Sequence, residues 1–125
     1  MADRSIYTSK MIKRIISAAE EWLGGDRAVS SRIIDFKSRT RSGRFYVLIT
    51  RINDENLHIQ EIVTAADGVN RVFRNWTFKK DAGWQVLSLE KDGKQVVLAD
   101  LAEELSELNF IIDTVYIKNT KSLIF

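Results

Sequence analysis

The chain has 125 residues, 45% of them apolar and 29% charged, with 19 Lys and Arg against 17 Asp and Glu. That length and apolar content predict one domain over residues 1–125, able to build its own core without staples. Cysteine is absent, which excludes disulfides, thiolate metal sites and thiol redox chemistry and fits a reducing compartment. Proline is absent too, and no Gly/Ser-rich, low-complexity or repeated segment stands out.

The charge is unevenly laid out. Residues 1–52 hold eleven Lys and Arg against five Asp and Glu, whereas residues 53–125 hold eight against twelve. The window from Arg27 to Arg51 is sharper, with seven basic residues and one acid, Asp35. Such asymmetry suits a basic face for a polyanion, or two opposite surfaces that meet in an oligomer.

The first expected element is a helix over 9–23. Met11/Ile12, Ile15/Ile16, Ala19 and Trp22/Leu23 recur at three- and four-residue steps, Thr8 is an N-cap candidate, and Gly24-Gly25 provides a left-handed stop. Lys10, Lys13, Arg14, Glu20 and Glu21 break the apolar pattern, so it is neither a signal peptide nor a membrane span; a soluble, cytoplasmic protein is expected. Those charges also oppose the helix dipole, cations near its positive end and acids near its negative end, at a few tenths of a kcal/mol each when exposed.

Short β-branched and aromatic runs follow, predicting strands at 31–38, 45–52, 57–64, 69–79, 84–89 and 95–98. They are separated by "RSGR", "NDEN", "AADG", "KDAG" and "KDGK", the last with the Asp-Gly pair of tight hairpins. Connections this short require antiparallel neighbours, hence a meander. In "FYVLITRI", Phe45, Val47 and Ile49 alternate with Tyr46, Leu48 and Ile52, which predicts a central strand covered on both sides.

A second helix is expected over 101–109, with Asp100 and Glu103 as a capping box and Leu101, Leu105 and Leu108 opposite Glu103, Glu104 and Glu107. "FIIDTVYIK" then reads as a C-terminal strand, and the apolar end Leu123-Ile124-Phe125 as a tail packed on the core or on a second chain. The fold class is therefore α+β: an N-terminal helix, an antiparallel meander of five to seven strands, a second short helix and a C-terminal strand, with the helices on one face.

Catalytic signals are thin. His58 is the sole histidine, and without cysteine a zinc site is not expected; a half-exposed sheet position is. No nucleophile elbow, phosphate-binding glycine loop or calcium loop is present, and "LGGDRAVS" is better explained as helix termination. No catalytic residue, metal or cofactor is assigned.

The basic window carries the functional expectation. Arg39, Arg41 and Arg44 cluster at a turn, Lys37 and Arg51 flank it, and Tyr46 and Phe73 lie on strands able to neighbour it. Cations for the backbone and rings for bases on a curved sheet are how many proteins hold single strands. The expected function is thus non-enzymatic binding of single-stranded DNA or RNA. Lys37, Arg39, Arg41, Arg44 and Arg51 would contact phosphates, Tyr46 or Phe73 would stack on bases, and Arg74 would belong to the same set. In "VFRNWTFKK", however, Arg74 interrupts a face shared by Val72, Trp76 and Phe78, so it must find a partner or lie at a rim if that face is core.

The alternative is a homo-oligomeric interaction protein, an adaptor or inhibitor, whose basic strands meet the acidic helix 101–109 of another chain or partner. A small-molecule pocket between sheet and helix is a third option.

Overall fold

The computed structural model describes residues 2–24, 31–36, 44–65 and 67–123. Helix α1 (Ala2–Leu23) leads into a six-stranded sheet of β1 (Ser31–Phe36), β2 (Arg44–Asn53), β3 (Asn56–Thr64), β4 (Asn70–Lys80), β5 (Trp84–Lys91) and β6 (Lys94–Gln95). A single 3₁₀ turn, Leu98–Asp100, then passes into α2 (Leu101–Leu123). The strands pair antiparallel in chain order, so the sheet is the expected meander and the class is α+β.

Turn chemistry fixes the hairpins. Asn53 Oδ1 accepts from the Glu55 amide at 2.8 Å and from Asn56 Nδ2 at 2.9 Å, closing the β2–β3 turn with a side chain. Between β5 and β6, Asp92 and Gly93 have φ of 52° and 80°, the two left-handed positions of a tight hairpin turn.

Both helices cover one side of the sheet. Val47, Ile49, Leu57, Ile59, Trp76, Phe78 and Leu89 meet Ile12, Ile15, Ile16, Ala19 and Leu23 of α1 and Leu105, Leu108 and Ile112 of α2 in one buried cluster. The register aligns Ile49, Ile59, Trp76 and Leu89 as one row across β2 to β5. The rings of Trp76 and Phe78 stack with centroids 5.7 Å apart.

Three expectations are corrected. Helix α1 begins at Ala2, upstream of the proposed Thr8 cap, because nothing between Ala2 and Ser9 breaks a helix. Lys10, Lys13 and Arg14 therefore sit beyond the first turn, where the dipole penalty has faded. Arg14 Nε instead donates to Asp113 Oδ1 at 2.8 Å and ties α1 to α2.

The C-terminal strand is replaced by helix: α2 runs unbroken from Leu101 through the "FIIDTVYIK" segment. The three- and four-residue spacing of Leu105, Leu108 and Ile112, all buried, continues past Asn109, and no Gly or Pro interrupts it. The tail residues Ile124 and Phe125 lie outside the described residues.

The strand expected at 95–98 shrinks to β6, Lys94–Gln95, before the 3₁₀ turn. The expected second cover over β2 is not supplied by either helix.

Candidate functional site

Strand alternation defines a second side of the sheet, opposite the helices. Tyr46, Leu48 and Thr50 of β2, His58, Gln60 and Ile62 of β3, Asn75 and Thr77 of β4, and Ser88 and Glu90 of β5 are all half-buried there. Ile33 of β1, opposite Leu48, is 66% exposed, and Val72 of β4, opposite Ile62, is 39% exposed. With Tyr46 opposite Ile62, the apolar side chains form one contiguous patch toward one end of the strands. Polar side chains make up much of the rest of the described face: Thr50, His58, Thr77 and Ser88 share one row, and Gln60, Asn75 and Glu90 lie in the next.

His58 Nε2 meets Asn75 Oδ1 across β3 and β4. This is the sheet position expected for His58.

The positions named from the sequence do not gather in one place. Lys37, Arg39 and Arg41 lie outside the described residues. Arg44 opens β2, opposite Thr64, and Tyr46 follows two residues later on the open face. Arg51 is on the other side of the sheet, in register with Leu57 and beside Glu20 and Gly24 at the end of α1.

Phe73 is the extra residue of a β-bulge: Glu61 pairs with Arg74 and Ile62 with Val72, so Phe73 has no partner on β3. Its ring lies under two cations of the same chain, with Arg74 Cζ 4.9 Å and Lys91 Nζ 5.6 Å from the centroid. The bulge also turns Val72 away from the face of Trp76 and Phe78 that strict alternation assigns it.

Arg74 is the plain correction. Instead of meeting phosphate, it is 2% exposed and surrounded by carboxylates. Its Nε donates to Glu61 Oε2 at 2.6 Å and its Nη2 to Glu61 Oε1 at 2.7 Å, a two-pronged grip across β3 and β4. Its Nη1 donates to Glu104 Oε2 at 2.9 Å and to Glu107 Oε2 at 2.5 Å, both on α2. Trp76 Nε1 gives Glu61 a further bond at 2.8 Å, and Lys91 Nζ reaches Glu104 Oε1 at 2.8 Å.

The electrostatics follow from this geometry. Burial acts to lower the pKa of Arg74, but its bonds to Glu61, the Glu61 charge and the α2 carboxylates outweigh burial and raise it. Burial acts to raise that of Glu104, and the bonds from Lys91 and Arg74 more than reverse it, leaving a carboxylate lower than usual. The bond to Glu104 raises Lys91. The cluster joins β3, β4, β5 and α2, and its saturation by its own partners marks it as a structural tie.

Among the described residues no group of His, Asp and Glu is placed to hold a metal ion, and no helix is long and apolar enough to cross a membrane. No family model, curated protein or solved structure matches this chain.

Sequence reasoning missed the partners of Arg74 and the composition of the open face. A signal for the first was present: an arginine between Val72 and Trp76 on an apolar face requires a nearby acid, and Glu61 interrupts the apolar series Leu57, Ile59 at the matching step. The hydroxyl and amide rows emerge only when strand register is known.

Proposed function

We propose that this chain is a non-enzymatic protein-interaction module that self-associates through the open face of its sheet. The observation that carries the reading is the contiguous patch of Ile33, Leu48, Tyr46, Ile62 and Val72 on a face without a helix layer. Lys79 of β4 and Glu90 of β5 bring one charge of each sign to that face. Thr, Ser, Gln and Asn side chains donate and accept alike, so two copies of one face can pair without a like-charge clash, as a two-fold interface requires. Five strands about 4.8 Å apart and roughly 30 Å long present on the order of 500–600 Å² in projection, the scale of a sheet-on-sheet contact.

Light scattering and sedimentation across a concentration series test it. A dimer is expected in the micromolar range, and Leu48→Asp together with Ile62→Asp is expected to yield a folded monomer with an unchanged circular dichroism spectrum. A wild-type chain that stays monomeric at millimolar concentration, or a dimer that survives both substitutions, overturns the reading.

One observation favours binding of single-stranded nucleic acid instead: Tyr46 is on the open face two residues after Arg44, at the end of β2 that follows the cationic run Lys37, Arg39 and Arg41. Titration of a labelled oligonucleotide at low and physiological salt separates the two. Phosphate contacts predict affinity that falls steeply with salt through counterion release and weakens when Arg41 and Arg44 are reversed to Glu. Affinity that is flat with salt, or absent, removes that option.

A further inference from the structure

His58 lies near the middle of the open face. It is half-buried on β3, with β1 and β2 on one flank and β4, β5 and β6 on the other. Thr50 of β2 and Thr77 of β4 stand opposite it in register. Leu48, part of the apolar patch, is in register with Gln60 and so is a diagonal neighbour of His58, about 7–8 Å away in a regular sheet. Stacked sheets approach to about 10 Å, so a contact that covers Leu48 also takes His58 out of water.

The surroundings suit an uncharged imidazole. The Asn75 side chain meets the ring, and an amide has no charge to offset an imidazolium. From β2 the neighbours are Thr50 and Leu48, with Tyr46 and Arg44 farther along that strand. From β4 come Asn75, Thr77 and Lys79; Lys79 is in register with Asn56, diagonal to His58, and brings charge of the same sign as an imidazolium. The carboxylate of this face, Glu90 of β5, is in register with Asn75 and thus two strands from His58, about 10 Å across the sheet.

A face that pairs with its own copy about a two-fold axis holds each of its groups twice. Two imidazoles therefore enter the contact, and charging both leaves two cations among apolar and neutral polar groups, where an uncompensated charge is costly. Histidine is the side chain whose charge ordinarily changes between about pH 5 and 8.

We propose that protonation of His58 opens the interface, so that this chain associates near neutral pH and separates in mild acid. The proposal rests on the self-association reading and names its control. The dimer binds fewer protons than two free chains, so association weakens as pH falls, by at most about a hundredfold per pH unit for two imidazoles. His58 is the sole histidine of the chain, so one substitution removes the response.

Sedimentation and light scattering at constant salt and at pH of about 7.5, 6.5 and 5.5 test it, with circular dichroism recorded at each pH. The dimer Kd is expected to rise at least about tenfold from the highest pH to the lowest. His58→Gln, which keeps a polar side chain and cannot charge, is expected to dimerise with a Kd that varies less than about threefold over the same range. Should His58→Gln fail to fold, His58→Thr, matching Thr50 and Thr77 in its row, is expected to give the same result. A wild-type chain that is monomeric at every pH removes the self-association reading and this proposal with it. A dimer whose Kd changes less than about threefold, or falls, on acidification overturns the role of His58 alone. So does a neutral variant that keeps the wild-type response, because acid then acts through other groups or through the fold.

Discussion

Replacing Arg74 with Met tests whether the buried cluster holds the fold. The substitution keeps most of the side-chain length and removes the charge. It deletes both bonds to Glu61 and those to Glu104 and Glu107. Glu104 retains Lys91, and Glu107 is 61% exposed and returns to water. Glu61 is the costly remainder: it is 0% exposed and keeps only the Trp76 indole N–H. Removing one partner of a buried pair costs about 3–5 kcal/mol, because the other charge is left uncompensated. For a chain of this size that corresponds to a fall in Tm of roughly 10–20 °C. Urea denaturation followed by circular dichroism gives the value directly. Pairing Arg74→Met with Glu61→Leu removes the stranded charge and is expected to recover much of the loss, as replaced buried pairs commonly do. A loss below about 1 kcal/mol for Arg74→Met alone is the value of a surface pair, and it would refute the claim that Glu61 is sealed from solvent.

The Arg14–Asp113 pair has a similar 2.8 Å distance, but its side chains are 65% and 30% exposed; Arg14→Ala is expected to cost under about 1 kcal/mol in the same urea assay, with most of that lost at high salt. Because the pKa of Glu104 is lowered in the fold, its contribution is fully present above the ordinary carboxylate range and is lost as pH falls through the depressed folded value. Acid titration of stability should therefore show a limb that is reduced in Glu104→Gln. Gly93, at φ 80°, is expected to lose about 1 kcal/mol on replacement by Ala, since the left-handed conformation and not a steric neighbour demands glycine there.

The fold was legible wherever the governing interactions are local. Period-two alternation and turn residues placed five strands to within two residues at each described end, because "NDEN" and "KDGK" carry their geometry in their own side chains and backbone. The C-terminal segment was not legible by the same means. "FIIDTVYIK" is rich in β-branched and aromatic residues and reads as strand by propensity, but Ile112 is 1% exposed on a helix packed beside α1, and tertiary packing overrides propensity. Phe73 failed for another reason: alternation assumes no extra residue, and a single bulge reverses the face of everything beyond it. Arg74 could be recognised as needing a partner, whereas its partners lie 13, 30 and 33 residues away along the chain.

That cluster also bears on how the two charged halves of the sequence relate. The charge layout offers the acids of the second helix to the basic strands of another molecule, yet Glu104 and Glu107 already face Arg74 and Lys91 of their own chain. Glu104 and Glu107 are therefore committed within their own chain and are not free acids for the basic strands of another copy. The proposed association through the open face would draw on apolar burial and neutral hydrogen bonds, which salt screens far less than it screens charge. The dimer constant is accordingly expected to change by less than about threefold between about 0.05 and 0.5 M salt, while any nucleic-acid affinity at the Arg44 end would fall by orders of magnitude over the same range. A dimer that dissociates steeply with salt would mean that the contact is made by charges and not by the patch of Leu48 and Ile62.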